Sequence, residues 1–298
     1  MQRTSQAISD ALVRAYIDSK NNISQNYQDR KSSYKQSFKY ALLNDNQIHL
    51  FASSASEFQV FEGEFDIPTA SGAAISEARY TDFMLGALRV KTQYDDLIKA
   101  KASGVSSAWL LVTAYYCCFF ACIEILKMHN KFLLSFDDDD ISILHNRLTG
   151  TFKSDFIKNN KNMNFIGNLY AGKIKFTSNG TKPHKIAWIQ LQKILQDFFA
   201  NKSNWDEIIT INTILSTPSL NPSRIRNTWN YKRPDYFGAT GENINLQFKK
   251  LIGDDSSSNK WLIANSHLAI PDDGCRIAAL CEILSHAVID ARRILAKH

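Results

Sequence analysis

The feature that most constrains the fold is a run of 19 residues, 105–123, that contains no charged side chain. The run reads VSSAWLLVTAYYCCFFACI, and its length approaches that of a membrane-spanning helix. Three observations argue against a membrane span. The run contains Ser, Thr and Tyr, the chain has no second comparable segment, and there is no clear excess of basic residues on just one side of the run. We therefore predict the buried helix of a soluble protein without a membrane partner, because a helix that is apolar on every side packs at the centre of a bundle.

The composition predicts a chain with a hydrophobic core in a reducing compartment. At 298 residues and 44% hydrophobic content the chain is long enough for one large domain or two ordinary ones, which excludes wholesale disorder. The cysteines are odd in number and all lie in apolar helical patterns, so we expect reduced thiols and a cytoplasmic location. The N-terminal residues are charged throughout and lack the apolar centre of a signal peptide.

Neither the charge nor the motifs predict a cofactor or a metal site. The net charge of +6 permits contact with phosphate groups but falls short of the basic surface of a dedicated DNA-binding domain. The GxxxxGK pattern at residues 167–173 is followed by Ile174, where a phosphate loop needs Ser or Thr. Cys118 and Cys122 share a helix face without a His beside them, so we expect no cofactor and no metal.

Apolar periodicity predicts a mainly α protein. Apolar residues recur at a spacing of three to four in several segments, as they do on the buried face of a helix. A further helix is expected from residue 141, with Asp140 as its N-cap, because an Asp side chain accepts the free amides of a first turn. The other predicted helices cover residues 4–19, 83–101, 105–123, 185–200, 205–214 and 275–296.

Two regions predict strands and divide the chain. QIHLF and FQVFEGEFDI, within residues 38–67, alternate apolar with polar side chains and predict a small β hairpin or meander. Residues 153–185 are rich in Lys, Asn and Gly and predict loops with one or two short strands. We therefore expect an N-terminal helix plus small β region over residues 1–75, and a helical bundle over 76–298 with a loop insertion around 153–185.

The segment LNPSRIRNTWNYKRPDYFG, residues 220–238, combines basic and aromatic side chains in one short predicted helix. Pro residues near its start and end predict about two helical turns over residues 224–232. Basic side chains in such a helix can bind phosphates while aromatic rings stack on bases. The alternative is a surface helix whose Trp and Tyr pack inward while its basic residues are solvated. The predicted nucleic-acid-binding residues are Arg224, Asn227, Trp229, Lys232 and Arg233.

Two stretches of the chain resemble the HEPN family of nucleotide-binding helical bundles and RNases. AWLLVTAYYCCFFACIEIL looks like the small-and-aromatic helix of that family. RNTWNY resembles its signature, an Arg, often followed by a polar residue, and a His after four to six intervening positions. Arg226 and Asn227 match the first half, but Tyr231 stands where the shortest spacing would place the His. The resemblance covers residues 80–298 in the order of the segments and in their apolar and polar patterning. It implies a HEPN-like helical bundle.

The resemblance implies a catalytic set of Arg226, Asn230 and Tyr231. Metal-independent RNA cleavage needs one group that accepts a proton from a ribose 2′-hydroxyl, one that returns a proton, and a cation at the phosphate. Arg226 suits the phosphate because a guanidinium is always charged and can bind two oxygens. A free Tyr, with a pKa of about 10, replaces His poorly as a base but can donate a proton or orient a phosphate. On one helix the three side chains can line a single groove.

Two functional hypotheses follow from the resemblance. In the first, the protein acts on or binds RNA or nucleotides, as a metal-independent endoribonuclease or a toxin, in a bacterial anti-phage defence or toxin-type system. In the second, it is a catalytically inactive HEPN-like binding or regulatory subunit that works through protein partners. Both imply a homodimer or a heteromeric defence complex. An unrelated all-α scaffold without a nucleotide role remains a third alternative.

Overall fold

The computed structural model describes residues 4–21, 37–46, 48–62, 73–159, 164–170, 173–180, 182–199, 206–244, 246–265 and 273–297. This part of the chain is mainly helical and contains a small mixed sheet, which confirms the predicted fold class at that level. The helices are α1 Thr4–Asn21, α2 Phe38–Asn44, α3 Ala73–Ala102, α4 Ser107–Met128, α5 Asp138–Arg147, α6 Lys153–Asn159, α7 Pro183–Phe199, α8 Asp206–Ser216, α9 Pro222–Asn227, α10 Ala239–Ile244, α11 Leu246–Leu251, α12 Asp255–Ala264 and α13 Asp273–Leu295. The strands are β1 Ile48–Ser54, β2 Glu57–Glu62, β3 Lys131–Ser135, β4 Leu148–Thr149, β5 Asn164–Tyr170 and β6 Lys173–Ser178.

The chain forms two compact units, each assembled from separate segments. The unit that we call the helical unit consists of Met1–Val13, Gly86–Ile125 and His184–His298. The unit that we call the sheet unit consists of Arg14–Leu85 and Leu126–Pro183. The division at residues 75 and 76 that the sequence suggested falls inside α3. Strands from before and after that point, such as β2 and β6, pair in one sheet, so the sheet unit includes segments on both sides of it.

The sheet unit is built on six strands in the order β3-β5-β6-β2-β1-β4. β1 and β2 form the predicted antiparallel hairpin, β6, β5 and β3 continue antiparallel from β2, and β4 pairs parallel with β1. Residues 38–44, which the sequence assigned to the β region, form α2 instead. Ser37 caps this helix by accepting a hydrogen bond from the amide of Tyr40, a local signal that the strand pattern obscured.

One face of the sheet carries a cluster of aromatic rings around Phe58. The Phe58 ring stacks on Phe176 with 4.9 Å between ring centroids and meets Phe165 edge-on at 5.3 Å. Phe156 of α6 covers the cluster from 5.9 Å. Gly167 lies against the same cluster, since a Cβ there would come within 2.4 Å of the Phe176 ring. The first glycine of the incomplete phosphate-loop pattern is therefore a packed position in β5.

α4 is the central helix predicted from the charge-free run, and it is buried along most of its length. Among the residues that the structure describes, it is the one helix long and apolar enough to cross a membrane, and 72% of its most apolar 18-residue window is buried inside the protein. Cys117 of α4 contacts Ser285 of α13, with 3.2 Å between Sγ and Oγ. All five cysteines are buried free thiols, as their apolar surroundings in the sequence predicted.

The helical unit also buries a carboxylate, Glu282 of α13. The Tyr94 hydroxyl donates to its Oε2 at 2.6 Å, and the backbone amide of Gly253 donates to its Oε1 at 2.8 Å. The Nε2 atom of His286, one helical turn further along α13, lies 3.5 Å from the same carboxylate. Glu282 is thus held by donors from three segments of the helical unit, which offsets the cost of removing its charge from water.

α5 begins with a capping box in which the roles of two aspartates differ from the prediction. Asp137, not Asp140, is the N-cap: its backbone is extended, and its carboxylate accepts the Asp140 amide at 2.9 Å. The Asp140 carboxylate in turn accepts the Asp137 amide at 3.1 Å. The run of aspartates therefore starts a helix, and the prediction erred by one turn because any of the four adjacent aspartates could serve as the cap.

Candidate functional site

The basic segment starts with a capped α9 and changes its helical pitch after Asn227. The side chain of Asn221 accepts a hydrogen bond from the Ser223 amide at 3.0 Å, and Pro222 occupies the first turn of the helix. A π-helical turn follows over Thr228–Lys232. The stretch predicted as helical is therefore helical throughout, but its second half is wider than an α-helix. Such turns are rare and occur often at functional sites.

Tyr231, in the π-helical turn, lies over Arg226, which belongs to the preceding α9. The Arg226 Cζ atom lies 5.9 Å from the Tyr231 ring centroid, and 5.1 Å and 5.4 Å from the rings of Tyr115 and Tyr116 on α4. A guanidinium at about 6 Å or less is attracted to the face of an aromatic ring. Arg226 and Tyr231 are thus brought together, whereas Asn230 is partly buried and takes no part in these ring contacts.

A pocket of about 640 Å³ lies beside α9, between α7 and the end of α8. Three basic side chains line it, Lys185, Arg224 and Lys232, and none of its described lining residues is acidic. The predicted nucleic-acid-binding residues Arg224, Asn227 and Lys232 belong to this lining, whereas the predicted catalytic residues do not. Its remaining walls are polar at Gln192, Ser216, Asn221 and Ser223 and apolar at Ile189, Leu215 and Pro218.

Two other predicted nucleic-acid-binding residues are engaged elsewhere. Trp229 is only 1% exposed and packs on Tyr236 with 4.3 Å between ring centroids, so its ring supports the segment from inside. Arg233 forms a two-pronged ion pair with Asp235, at 2.9 and 2.7 Å, and lies over the Tyr236 ring at 4.0 Å. Trp229 packs inward, as the surface-helix alternative in the sequence analysis predicted. Tyr231 does not pack inward, since 69% of its side chain is exposed.

A hydrogen-bonded chain that the sequence did not suggest leads away from the pocket. The hydroxyl of pocket-lining Ser223 lies 3.2 Å from the hydroxyl of Tyr115, which lies 2.6 Å from Nδ1 of His184 at the start of α7. The His184 ring stacks on Phe119 at 4.0 Å between centroids and meets Tyr116 edge-on at 6.2 Å. We call Ser223, Tyr115 and His184 the relay.

Both titratable members of the relay have shifted pKa values. Burial lowers the pKa of His184, and the charge of Arg226 lowers it further, so the imidazole is neutral at pH 7. Burial raises the pKa of Tyr115 to about 12, so its hydroxyl keeps its proton. The positive charge of Arg226 therefore adds to burial in favouring the neutral imidazole of His184.

His184 was missed because nothing near it in the chain indicates a partner. It lies 69 residues from Tyr115 in sequence, and only the packing of α7 on α4 brings the two together. The one local signal is its position directly after Pro183, at the start of a strongly apolar helical pattern, where a side chain lies at the end of a helix instead of on its buried stripe.

No protein-family model, curated protein or solved structure matches this chain.

Proposed function

We propose that this chain is a HEPN-like protein that binds RNA or nucleotides through their phosphate groups, at the basic pocket beside α9. The observation that carries the proposal is the lining of that pocket, where Lys185, Arg224 and Lys232 converge and no described lining residue is acidic. Uncompensated positive charge around a concave surface favours an anionic ligand. A volume of about 640 Å³ is also in the range of pockets that hold a small organic ligand.

The neutral lining suits a nucleotide better than a bare anion. Asn221, Ser223 and Asn227 offer amide and hydroxyl groups that can bind a base edge or a sugar, and Ile189 and Leu215 offer an apolar wall. The exposed Tyr231 ring, held over Arg226, supplies a face on which a neighbouring base can stack. The wider proposal keeps the system that the resemblance implies, a bacterial anti-phage defence or toxin-type system in the cytoplasm.

A second candidate is the catalytically inactive subunit that works through protein partners. Tyr231 at the signature His position favours it, as does the packing of Arg226 among tyrosine rings. Either form is expected as a homodimer or a heteromeric defence complex, which the mass of the purified particle measures. RNA binding separates the two candidates, because a subunit that only contacts proteins has no use for the basic pocket.

The test is the affinity of the purified protein for a short fluorescent RNA, measured by anisotropy over a series of salt concentrations. The double variant Arg224→Ala/Lys232→Ala is expected to bind more weakly, with the slope of log affinity against log salt reduced by about 1 for each phosphate that is no longer neutralised. Lys250→Ala, which removes an exposed lysine of α11 that does not line the pocket, is the matched control. Equal affinity and slope in the double variant and the control would contradict the proposal.

A further inference from the structure

We propose that the Ser223 hydroxyl donates to a phosphate group in the basic pocket, and that Tyr115 and His184 set the direction of this hydrogen bond, so that phosphate binding favours protonation of His184. The inference rests on the proposed function, because it takes a phosphate to be the ligand of the pocket. It assigns Ser223 to the phosphate instead of to a base or a sugar. Tyr115 and His184 become positioning residues, and the affinity of the pocket becomes dependent on pH.

Ser223 belongs both to the lining of the pocket and to the relay. Its place is fixed by the start of α9, where its backbone amide donates to the Asn221 side chain at 3.0 Å. A hydroxyl has one proton to donate. If Ser223 gives that proton to Tyr115, only lone pairs are left for the pocket, and these repel an anion. If Tyr115 is the donor across the 3.2 Å between the two oxygens, the Ser223 proton is available to a phosphate.

His184 decides which of the two hydroxyls donates. Tyr115 keeps its proton, because burial raises its pKa to about 12, and its oxygen lies 2.6 Å from Nδ1 of His184. When Nδ1 carries no proton, Tyr115 donates to it and has no proton left for Ser223. When Nδ1 is protonated, it donates to Tyr115, whose own proton then goes to Ser223. A neutral imidazole can take either form, but an imidazolium carries a proton on both nitrogens and allows the second arrangement alone.

The charges around His184 oppose its protonation in the absence of an anion. Lys185 follows it on α7, and Arg226 of α9 lies against the Tyr115 and Tyr116 rings of α4 that also contact the imidazole. Burial lowers the pKa of His184, and the charge of Arg226 lowers it further. The neutral ring is therefore the starting state at pH 7, and solvent can supply the proton because His184 is partly exposed.

A phosphate in the pocket acts in the opposite direction. Its negative charge offsets the nearby cations, and its need for the Ser223 proton favours the arrangement that the imidazolium enforces, so both effects raise the pKa of His184. Linkage is reciprocal, and the protein with His184 protonated therefore binds the phosphate more tightly.

The sign of the pH dependence follows from this linkage. The affinity is expected to be lowest above the raised pKa of His184 in the phosphate-bound protein and to increase as the pH falls through it. It levels off below the lowered pKa of the free protein. The total gain in affinity is about tenfold for each unit by which the phosphate raises the pKa.

A purely structural role for the Tyr115 hydroxyl predicts a different result. Tyr115 is fully buried, and buried hydroxyls are usually hydrogen-bonded whatever their function. If its hydrogen bonds serve stability alone, removing the hydroxyl lowers the free energy of unfolding and leaves the pH dependence of binding as in wild type. The pH profile of binding is therefore the readout that separates a positioning role from a structural one.

The test is isothermal titration calorimetry of the full-length protein with a short oligouridylate, at constant ionic strength and at pH values from about 5 to about 8. Neither the phosphodiester nor the uracil groups of this probe change their charge in that range, so protons taken up on binding belong to the protein. Repeating each titration in buffers with different ionisation enthalpies measures this uptake. Wild type is expected to take up protons on binding and to bind more tightly towards acidic pH.

Two substitutions break the relay, and each has a matched control. His184→Gln keeps an amide that can bind Tyr115 but cannot be protonated, and it is expected to lose the rise in affinity towards acidic pH. Tyr115→Phe keeps the ring and the imidazolium charge but interrupts the hydrogen bonds, and it is expected to lose most of that rise. His286→Gln, on α13, and Tyr116→Phe, at the neighbouring tyrosine of α4, change groups outside the relay and are expected to keep the wild-type profile.

Proton NMR of the His184 imidazole gives a second readout that needs no variant of Tyr115. The signal, identified by its loss in His184→Gln, is expected to titrate at a higher pH when the oligouridylate is present. Circular dichroism and thermal melting confirm that each variant is folded.

The outcomes separate the two proposals. An oligouridylate that binds without proton uptake, or that binds Tyr115→Phe with the wild-type pH profile, overturns the role of the relay and leaves the proposed function standing. An oligouridylate that does not bind at any pH overturns both.

Discussion

The two units of the molecule differ in what they bury. In the described residues of the sheet unit the core consists of apolar side chains around Phe58, with Arg79 and Thr81 the buried polar ones. Among its described residues the helical unit buries three carboxylates, Glu124, Asp255 and Glu282, together with several hydroxyls. Burying a charge costs free energy unless the charge is paired. Carboxylates buried in this number indicate that they belong to a hydrogen-bonded network or take part in chemistry. The pocket and the relay lie in that same helical unit.

The largest expected effect tests the apolar half of this comparison. Phe58→Ala removes the ring that contacts Phe156, Phe165 and Phe176, and we expect the free energy of unfolding to fall by about 3–5 kcal/mol. Urea unfolding followed by circular dichroism measures the change. Phe152→Ala, at a ring that is 45% exposed, is the control and is expected to cost much less. A loss below about 1 kcal/mol at Phe58 would show that this cluster does not hold the sheet unit together.

The next effect tests the polar half. Glu282→Ala leaves the Gly253 amide without its acceptor and the Tyr94 hydroxyl with only His286 Nε2, 3.2 Å away, and we expect a loss of about 2–3 kcal/mol in the free energy of unfolding. The control is Asp96→Ala, whose exposed carboxylate pairs only with Lys99 on the surface of α3. If both variants unfold at the same urea concentration, the buried carboxylate contributes no more than a surface one, and the contrast between the units disappears.

The smallest effect concerns pH, and its sign differs between the units. Hydrogen bonding to Glu282 raises the pKa of His286 in the helical unit, so His286 contributes stability that is complete below a pH of about 6.5 and lost as the pH rises through its raised pKa. Burial lowers the pKa of His145 in the sheet unit, so this histidine reduces stability as the pH falls below about 6.5. Urea unfolding at several pH values, with His286→Gln and His145→Gln beside wild type, measures both.

The free energy of unfolding at acidic pH is expected to change in opposite directions in the two variants. Relative to wild type, His286→Gln loses stability at acidic pH, and His145→Gln gains it there. The same sign in both would mean that burial, and not the Glu282 contact, governs His286.

The sequence predicted the features that depend on near neighbours along the chain. The charge-free run predicted α4 because a helix that is apolar on every side packs at the centre of a bundle. The alternation around Phe51 and Phe58 predicted the hairpin of β1 and β2 because it has the two-residue period of a strand. Pro222 predicted the start of α9 because its fixed φ and missing amide suit the first turn of a helix. The strand pairing of β2 with β6 joins residues more than a hundred positions apart, and no local period records it.

The residues of the candidate site also divide into those that are close together in the sequence and those that only the fold brings together. Arg224, Asn227 and Lys232 could be placed in a binding segment because they are clustered in the chain, and all three line the pocket. Trp229 carried the same signal but faces inward, since side-chain direction depends on the pitch of the turn and on Tyr236 beneath it. His184 and Tyr115 could not be joined from the sequence, because their contact exists only after α7 packs on α4.

The π-helical turn at Thr228–Lys232 explains how one short segment serves two directions at once. In an uninterrupted α-helix, positions 226 and 231 would be separated by about 140° around the axis, so their side chains would diverge. The wider turn lowers the rotation per residue and so reduces that angle, while Arg224 and Asn227, which precede it, line the pocket. The length of the stretch between Arg226 and Tyr231 is therefore as informative as its composition: a homologous chain one residue shorter there would place the phenol four positions after the guanidinium, about 40° away in an α-helix, and would need no π-helical turn to keep the two on one face.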